Sequence, residues 1–195
     1  MVPTLWLATT NLMMTKRGPM FLSDTSINID PDAKALAKIT QMTSNVIKLF
    51  GLKPVLALVS YSNFGSSINA GASKIREAVS ILHRTHPDMD VDGELQTDFA
   101  LNDGMLREKF PFSKLVGKKV NALIFPNLDS ANITYKLLKE LHEADSIGPI
   151  MMGMRKPVHI LQLGASVDEI VNMAAIAVID AQQKEKWESE NVNKK

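Results

Sequence analysis

The sequence predicts an α/β fold, a three-layer α/β/α sandwich around a mainly parallel sheet. Three observations carry that expectation. Residues 55–59 (VLALV) and 120–125 (VNALIF) are short runs of strand formers without polar alternation, as in strands buried on both faces. Longer stretches between them carry apolar residues at helical spacing. Each run ends in turn formers that lead into a helix, and such alternation marks βα units.

The elements follow in order. Residues 12–15 and 20–23 read as strands of a hairpin turning at Lys16-Arg17-Gly18-Pro19. Asp30, Pro31 and Asp32 suit an N-cap, a first helical position and a first-turn acid. The helix they open carries Leu36, Ile39, Met42, Val46, Leu49 and Phe50 on one side and ends at Gly51. After the strand at 55–59, Ser60-Tyr61-Ser62-Asn63-Phe64-Gly65-Ser66-Ser67 is a small, hydroxyl-rich loop that could turn backbone amides toward an anion. Equally, it reads as an ordinary serine-rich loop.

A helix over 72–83 points Ile75, Val79 and Leu82 inward, and Pro87-Asp88 breaks it. In the strand at 91–95, Asp92 and Glu94 should share a face. Without a fixed partner they read as a solvated or structural face rather than a catalytic pair. A short helix over 101–109 and a loop with Phe110-Pro111-Phe112 and Gly117 follow. The strand at 120–125 is stopped by Pro126-Asn127. Asp129 is expected to cap a helix with Ile133, Leu137 (or Leu138) and Leu141 as its apolar stripe. Residues 150–154 and 158–161 suggest one or two short strands about the basic turn Arg155-Lys156-Pro157, and methionines 151, 152 and 154 read as core filling. Ser166-Val167-Asp168-Glu169 is a capping box opening a helix to about residue 186, with Ile170, Ala174, Ala177, Val178 and Ala181 inward. The chain thus reads as one α/β domain over 1–187 and a polar tail over 188–195.

Composition narrows the function classes. At 195 residues the chain can bury one sizeable core. A net charge of +1 without a basic, aromatic-interleaved cluster argues against nucleic acid. Zero cysteines exclude disulfides and thiolate chemistry, and four scattered histidines lack metal-ligand spacing. The opening MVPTLWLATTNLMM is too interrupted for a membrane span. A soluble, cytoplasmic protein without a metal is the expectation.

PNLDSANITYK (126–136) resembles a signature of the phosphate acetyltransferase/phosphate butyryltransferase family. DTSIN with Pro31, VSYSNFGSS, VDGELQTDFA and IGPIMMGMRKPVHILQLGASVDEIVNMAA resemble that family in the same order, from about residue 16 to 183. The likeness is strongest to the transacetylase-like module that follows the dehydrogenase in bacterial NADP-dependent malic enzymes. It implies one lobe of a two-lobed fold with a cleft between lobes, and a chain that is a fragment of a longer module. The carboxyl edge of the sheet is where such folds bind ligands, which selects Ser60, Ser62, Asn63, Gly65, Ser66, Asn127, Asn132 and Ser166 as candidate ligand contacts.

The family reaction moves an acetyl group between coenzyme A and phosphate, and needs a base, cations and oxyanion donors. Active members carry an adjacent serine and arginine, then an aspartate seven residues after the serine. Those positions are Gln162, Leu163 and Glu169 here. Leucine cannot replace a guanidinium that pairs bidentately with phosphate. A further family arginine falls at Glu140, beside Lys139; either Lys139 or Arg155 is a candidate substitute. Glu169 has a full explanation as the capping-box partner of Ser166. The resemblance therefore implies a catalytically impaired domain that senses acetyl-CoA and helps build a homo-oligomer with upstream malic enzyme domains. The alternative is an active transferase that moves an acyl group between coenzyme A and phosphate and binds acyl phosphate. No dinucleotide fingerprint is present, so malate oxidation is not expected in these residues.

Overall fold

The computed structural model describes residues 6–192. Strand β1 (Ala8–Thr15) and strand β2 (Gly18–Ser23) form the expected hairpin, closed by Lys16 and Arg17 with Thr15 opposite Gly18. Then follow α1 (Ala33–Leu49), β3 (Leu56–Val59), α2 (Ala70–Thr85), β4 (Val91–Leu95), α3 (Thr97–Leu101), α4 (Asp103–Lys109), β5 (Ala122–Ile124), α5 (Leu128–Glu140), β6 (Ala144–Met152) and α6 (Val167–Val192).

The six strands make one mixed sheet in the order β4-β3-β5-β2-β1-β6. The three pairings β4·β3, β3·β5 and β5·β2 are parallel, and the two around β1 are antiparallel. A mainly parallel sheet follows from the uninterrupted apolar runs, which leave no wet face. One core, built on Phe21, Leu56, Leu58 and Ile124, is roofed by α1, α2 and α6. The other, built on Leu22, Ala57, Val59 and Leu123, is covered by α3, α4 and α5. The layers are those of a three-layer sandwich.

Several local expectations give way. Asp32, not Asp30, caps α1, accepting the Ala35 amide at 2.7 Å. Asn127, not Asp129, caps α5, accepting the Ser130 amide at 3.0 Å. In α5 the face turned inward is Ala131 and Tyr135 with Leu138 packed partly buried beside them, so the Leu138 alternative holds, whereas Ile133, Leu137 and Leu141 are exposed. The inward side is the one that meets the core of Leu22, Leu123 and Phe125, and Ile133 and Leu137 lie away from it. No strand covers 158–161; β6 is a single strand that starts earlier, and 153–166 is irregular. In α6 the buried positions are Met173, Ile176 and Asp180, while Ile170, Ala174 and Val178 are exposed and Ala177 and Ala181 half-buried. A helix apolar on most of its circumference does not reveal by periodicity which side packs. Helix α6 continues to Val192, past the boundary expected at 187; residues 193–195, like the opening 1–5, lie outside the described residues.

Candidate functional site

All four parallel strands end on one edge of the sheet, at Ser23, Val59, Leu95 and Ile124, and the loops that leave them are tied together. The Ser60 amide donates to the Leu95 carbonyl at 2.8 Å and the Gln96 amide to Asn63 Oδ1 at 2.7 Å, which joins the β3 and β4 loops. Asn132 Nδ2 donates to the Thr25 carbonyl at 3.0 Å, and the Leu128 amide to the Ile29 carbonyl at 3.0 Å, which joins the β2 and β5 loops. Asp24 holds the β2 loop from inside. Its buried carboxylate accepts the amide and hydroxyl of Thr9 and the amides of Ser26 and Asn28.

The serine-glycine loop is organised by Glu94, whose side chain is 0 % exposed. Glu94 Oε1 accepts Ser62 Oγ at 2.7 Å, the Gly65 amide at 3.1 Å and Arg76 Nη1 at 2.7 Å. The Ser62, Asn63, Phe64, Ser66 and Ser67 amides donate within the loop or to Glu94's carbonyl. The cradle expected from composition is thus closed on the protein's own carboxylate, and its amides are not turned outward. Gly65 has φ +91, a region few side chains adopt.

Asp92 and Glu94 are both buried and serve structure, not solvent, but they do not share a set of partners. Asp92 accepts Ser113 Oγ and the Lys114 amide, each at 2.8 Å. The pairing of β3 with β4 shifts register between Leu58 and Val59, so that Gly93 and Leu95 oppose consecutive residues and Glu94 falls out of the alternation. That bulge sends the two carboxylates to different partners. A side chain at Gly93 would stand 2.5 Å from the Leu58 carbonyl oxygen, so glycine is required there.

The second group of candidates meets elsewhere. Gln162, Leu163 and Glu169 line a cleft of ≈ 80 Å³ with Asn11, Tyr135, Lys139 and Ser146. Gln162 Nε2 donates to Tyr135 Oη at 3.3 Å. Leu163 is 106 % exposed and contributes no charge. Glu169 Oε2 accepts the Ser166 amide at 2.8 Å while Ser166 Oγ accepts the Glu169 amide at 3.2 Å, a reciprocal capping box. Lys139 Nζ lies 3.0 Å from Glu169 Oε1. The Ser166 amide first, and Lys139 second, hold the Glu169 carboxyl below the usual carboxylate range. Lys139, one candidate for a replacement cation, is therefore paired inside the cleft. Among the residues lining this cleft are none of the serine-glycine loop, nor Asn127 or Asn132, which cap α5 and fix the Thr25 loop.

Arg76, Tyr135, Asn11 and His159 escaped the sequence reading. Arg76 was legible in principle, because a buried acid at Glu94 demands a cation. The others depend on sheet order. Among the described residues no group of three or more metal-ligating side chains occurs, and no helix is long and apolar enough to cross a membrane.

A sandwich whose strand ends gather such loops, with a capping-box stretch over its edge, defines a class. Residues 4–178 match the family described as phosphate acetyl/butaryl transferase, and the chain belongs to that family. The particular likeness is to a region of malic enzymes: it is 44 % identical over 176 residues to the NADP-dependent malic enzyme of Haemophilus influenzae, covering 90 % of this chain and 23 % of that protein. The phosphate acetyltransferase of Clostridium acetobutylicum is 37 % identical over 169 residues, covering 86 % of this chain and 50 % of the enzyme. In three dimensions, a phosphotransacetylase from Streptococcus pyogenes superposes with a TM-score of 0.83 at 36 % identity, over 92 % of this chain and 54 % of that one. The chain thus spans about a quarter of the malic enzymes it matches and about half of the solved phosphotransacetylase.

Proposed function

We propose that the chain is the phosphotransacetylase-like part of an NADP-dependent malic enzyme, impaired in acyl transfer, which senses acetyl-CoA and helps assemble the oligomer. One observation carries the reading. At the three positions where active relatives hold serine, arginine and aspartate, the cleft has an amide bound to Tyr135, an exposed leucine and a carboxylate tied into a helix cap. An oxyanion donor is worth about 10²–10³ in rate and a charged hydrogen bond about 1.5–3 kcal/mol. Losing both kinds of group leaves a pocket suited to holding a ligand rather than turning it over.

Assembly is supported by the apolar surface. Ile133 and Leu137 of α5, Leu141 at its end, and Val167, Ile170, Val171 and Val178 of α6 are exposed, large apolar side chains on two helices whose covering by protein is favourable. Malic enzyme domains and a second copy are the partners this reading assigns. The test is a pair of assays on one preparation: acyl phosphate formation trapped with hydroxylamine, and thermal stability with and without acetyl-CoA. Stabilisation by acetyl-CoA without turnover supports the proposal. Turnover within tenfold of an ordinary phosphate acetyltransferase makes the chain an active acyltransferase, and absence of both leaves only an assembly role.

A further inference from the structure

The 153–166 connection between β6 and α6 carries Gln162 and Leu163 to the cleft and ends at Ser166, whose capping partner Glu169 also lines it. It has no ladder partner, and Val158, Ile160 and Leu161 are exposed along it. A segment of that kind stays in one place only if some side chain ties it down. His159 is placed to do so. Its side chain is 4 % exposed and enters a small apolar cavity walled by Val46, Leu49, Phe50, Ile150, Ile176 and Ile179. Nδ1 accepts the Met151 amide at 3.4 Å, so the neutral ring carries its proton on Nε2. Nε2 is buried without a hydrogen bond, 3.5 Å from Asp180 Oδ2. Asp180 is buried in turn and accepts Lys184 Nζ at 2.6 Å.

We infer that His159 is the positioning residue of this loop: its imidazole, set between α1, β6 and α6 against Asp180, anchors the backbone that presents Gln162, Leu163 and Ser166. The anchor lies on the opposite side of the sheet from the cleft. Its wall belongs to the core under α1 and α6, whereas Tyr135 of the cleft belongs to the core under α5.

The anchor is also built to respond to protons. Burial holds the His159 imidazole below its ordinary value of 6.5, against the pull of Asp180. From α6 the charged groups are Asp180, which favours the imidazolium, and Lys184, which opposes it. From α1, Lys38 lines the adjoining groove with Asp180 and Lys184; β6 contributes the Met151 amide and no charge to this wall. A proton on Nδ1 would face the Met151 N–H, so the hydrogen bond that seats the ring is lost on protonation. Because the folded state disfavours the proton, the anchor's contribution is complete above about 6.5 and is lost as pH falls through the lowered native value.

The experiment is hydrogen exchange by mass spectrometry on the whole protein between pH 5 and 8, corrected for intrinsic exchange, and it needs no ligand. In the wild type, protection across 155–166 falls on the order of tenfold at the acid end while that of β3 and β5 holds. His159→Ala loses this protection at every pH. His159→Phe fills the cavity without a titrating group, so the loop stays protected and its pH dependence disappears. A flat wild-type profile, wild-type exchange in His159→Ala, or retained pH dependence in His159→Phe each overturns the inference. If His159→Ala does not fold, the wild-type and Phe profiles decide it. Stability with acetyl-CoA, measured alongside, separates the two readings: no acetyl-CoA effect with the exchange pattern intact removes the ligand and leaves the anchor.

Discussion

Removing the Arg76 guanidinium tests whether the serine-glycine loop is held by a buried ion pair. Arg76 Nη1 lies 2.7 Å from Glu94 Oε1, and the carboxylate is 0 % exposed while the arginine is 31 % exposed. Breaking a buried pair from one side costs about 3–5 kcal/mol, because the remaining charge loses its compensation. Partial exposure of the arginine admits water to the gap, and Ser62 Oγ and the Gly65 amide still donate to Glu94, so the lower end applies. Arg76→Met is then expected to cost about 3 kcal/mol. With a slope of about 2–3 kcal/mol/M in urea, the midpoint falls by about 1–1.5 M. Far-UV circular dichroism in urea reads this, and Glu94→Gln combined with Arg76→Met should recover part of the loss in a double-mutant cycle. A single Arg76→Met that stays within about 1 kcal/mol of wild type refutes the ion pair as the loop's support.

Three further outcomes are expected. A Cβ added at Gly65 meets nothing within 4 Å, so the cost of Gly65→Val, about 1–2 kcal/mol, comes from the φ of +91; because the loop is closed on Glu94 and none of it lines the cleft, acetyl-CoA protection in thermal unfolding should be retained, and its loss would place the ligand at this loop. Leu137→Glu with Ile170→Glu places charge on the exposed apolar run and should convert a self-associating protein to monomer in sedimentation; a wild type that is already a clean monomer at tens of micromolar would sink the assembly reading. Ser166→Ala removes half of the capping box and should cost about 1 kcal/mol at neutral pH. Since the Glu169 carboxyl is lowered from 4.5, chiefly by the Ser166 backbone amide that alanine retains, its contribution is present above that value and is lost as pH falls through the lowered one; the wild-type and Glu169→Ala unfolding curves should therefore converge in acid, whereas the Ser166→Ala difference should persist.

Much of this fold was legible because burial on both faces leaves a plain signature. The apolar runs at 55–59 and 120–125 announced a parallel sheet, and Ser166 with Glu169 announced their helix start. Cap choice was not legible where several candidates crowd one turn: Asp30 and Asp32, or Asn127 and Asp129, differ only in which reaches the third amide. The inward face of α6 was hidden because large apolar side chains surround it. That Asp92 and Glu94 part to different partners was not legible, since alternation fails at a bulge and nothing in VDGEL besides its glycine marks one. The anchor at His159 depends on α1, β6 and α6 meeting, which no local pattern encodes.

The state of Glu169 bears on what it would take to restore chemistry. A glutamate reaches back to the capping amide where an aspartate, one methylene shorter, falls short. Here the carboxylate accepts the Ser166 amide at 2.8 Å and also pairs with Lys139 at 3.0 Å. Both contacts favour the ionised form and occupy the oxygens a base would need. Gln162→Ser with Leu163→Arg would supply the hydroxyl and guanidinium but leave that carboxylate engaged, chiefly by the Ser166 amide. The double variant is therefore expected to remain at background in acyl phosphate formation. Adding Glu169→Asp should free the carboxyl from the cap, at a cost of about 1 kcal/mol in helix stability, and give measurable turnover. A double variant as active as the triple would show that the cap does not restrain Glu169, and would leave the proposed impairment resting on Gln162 and Leu163 alone.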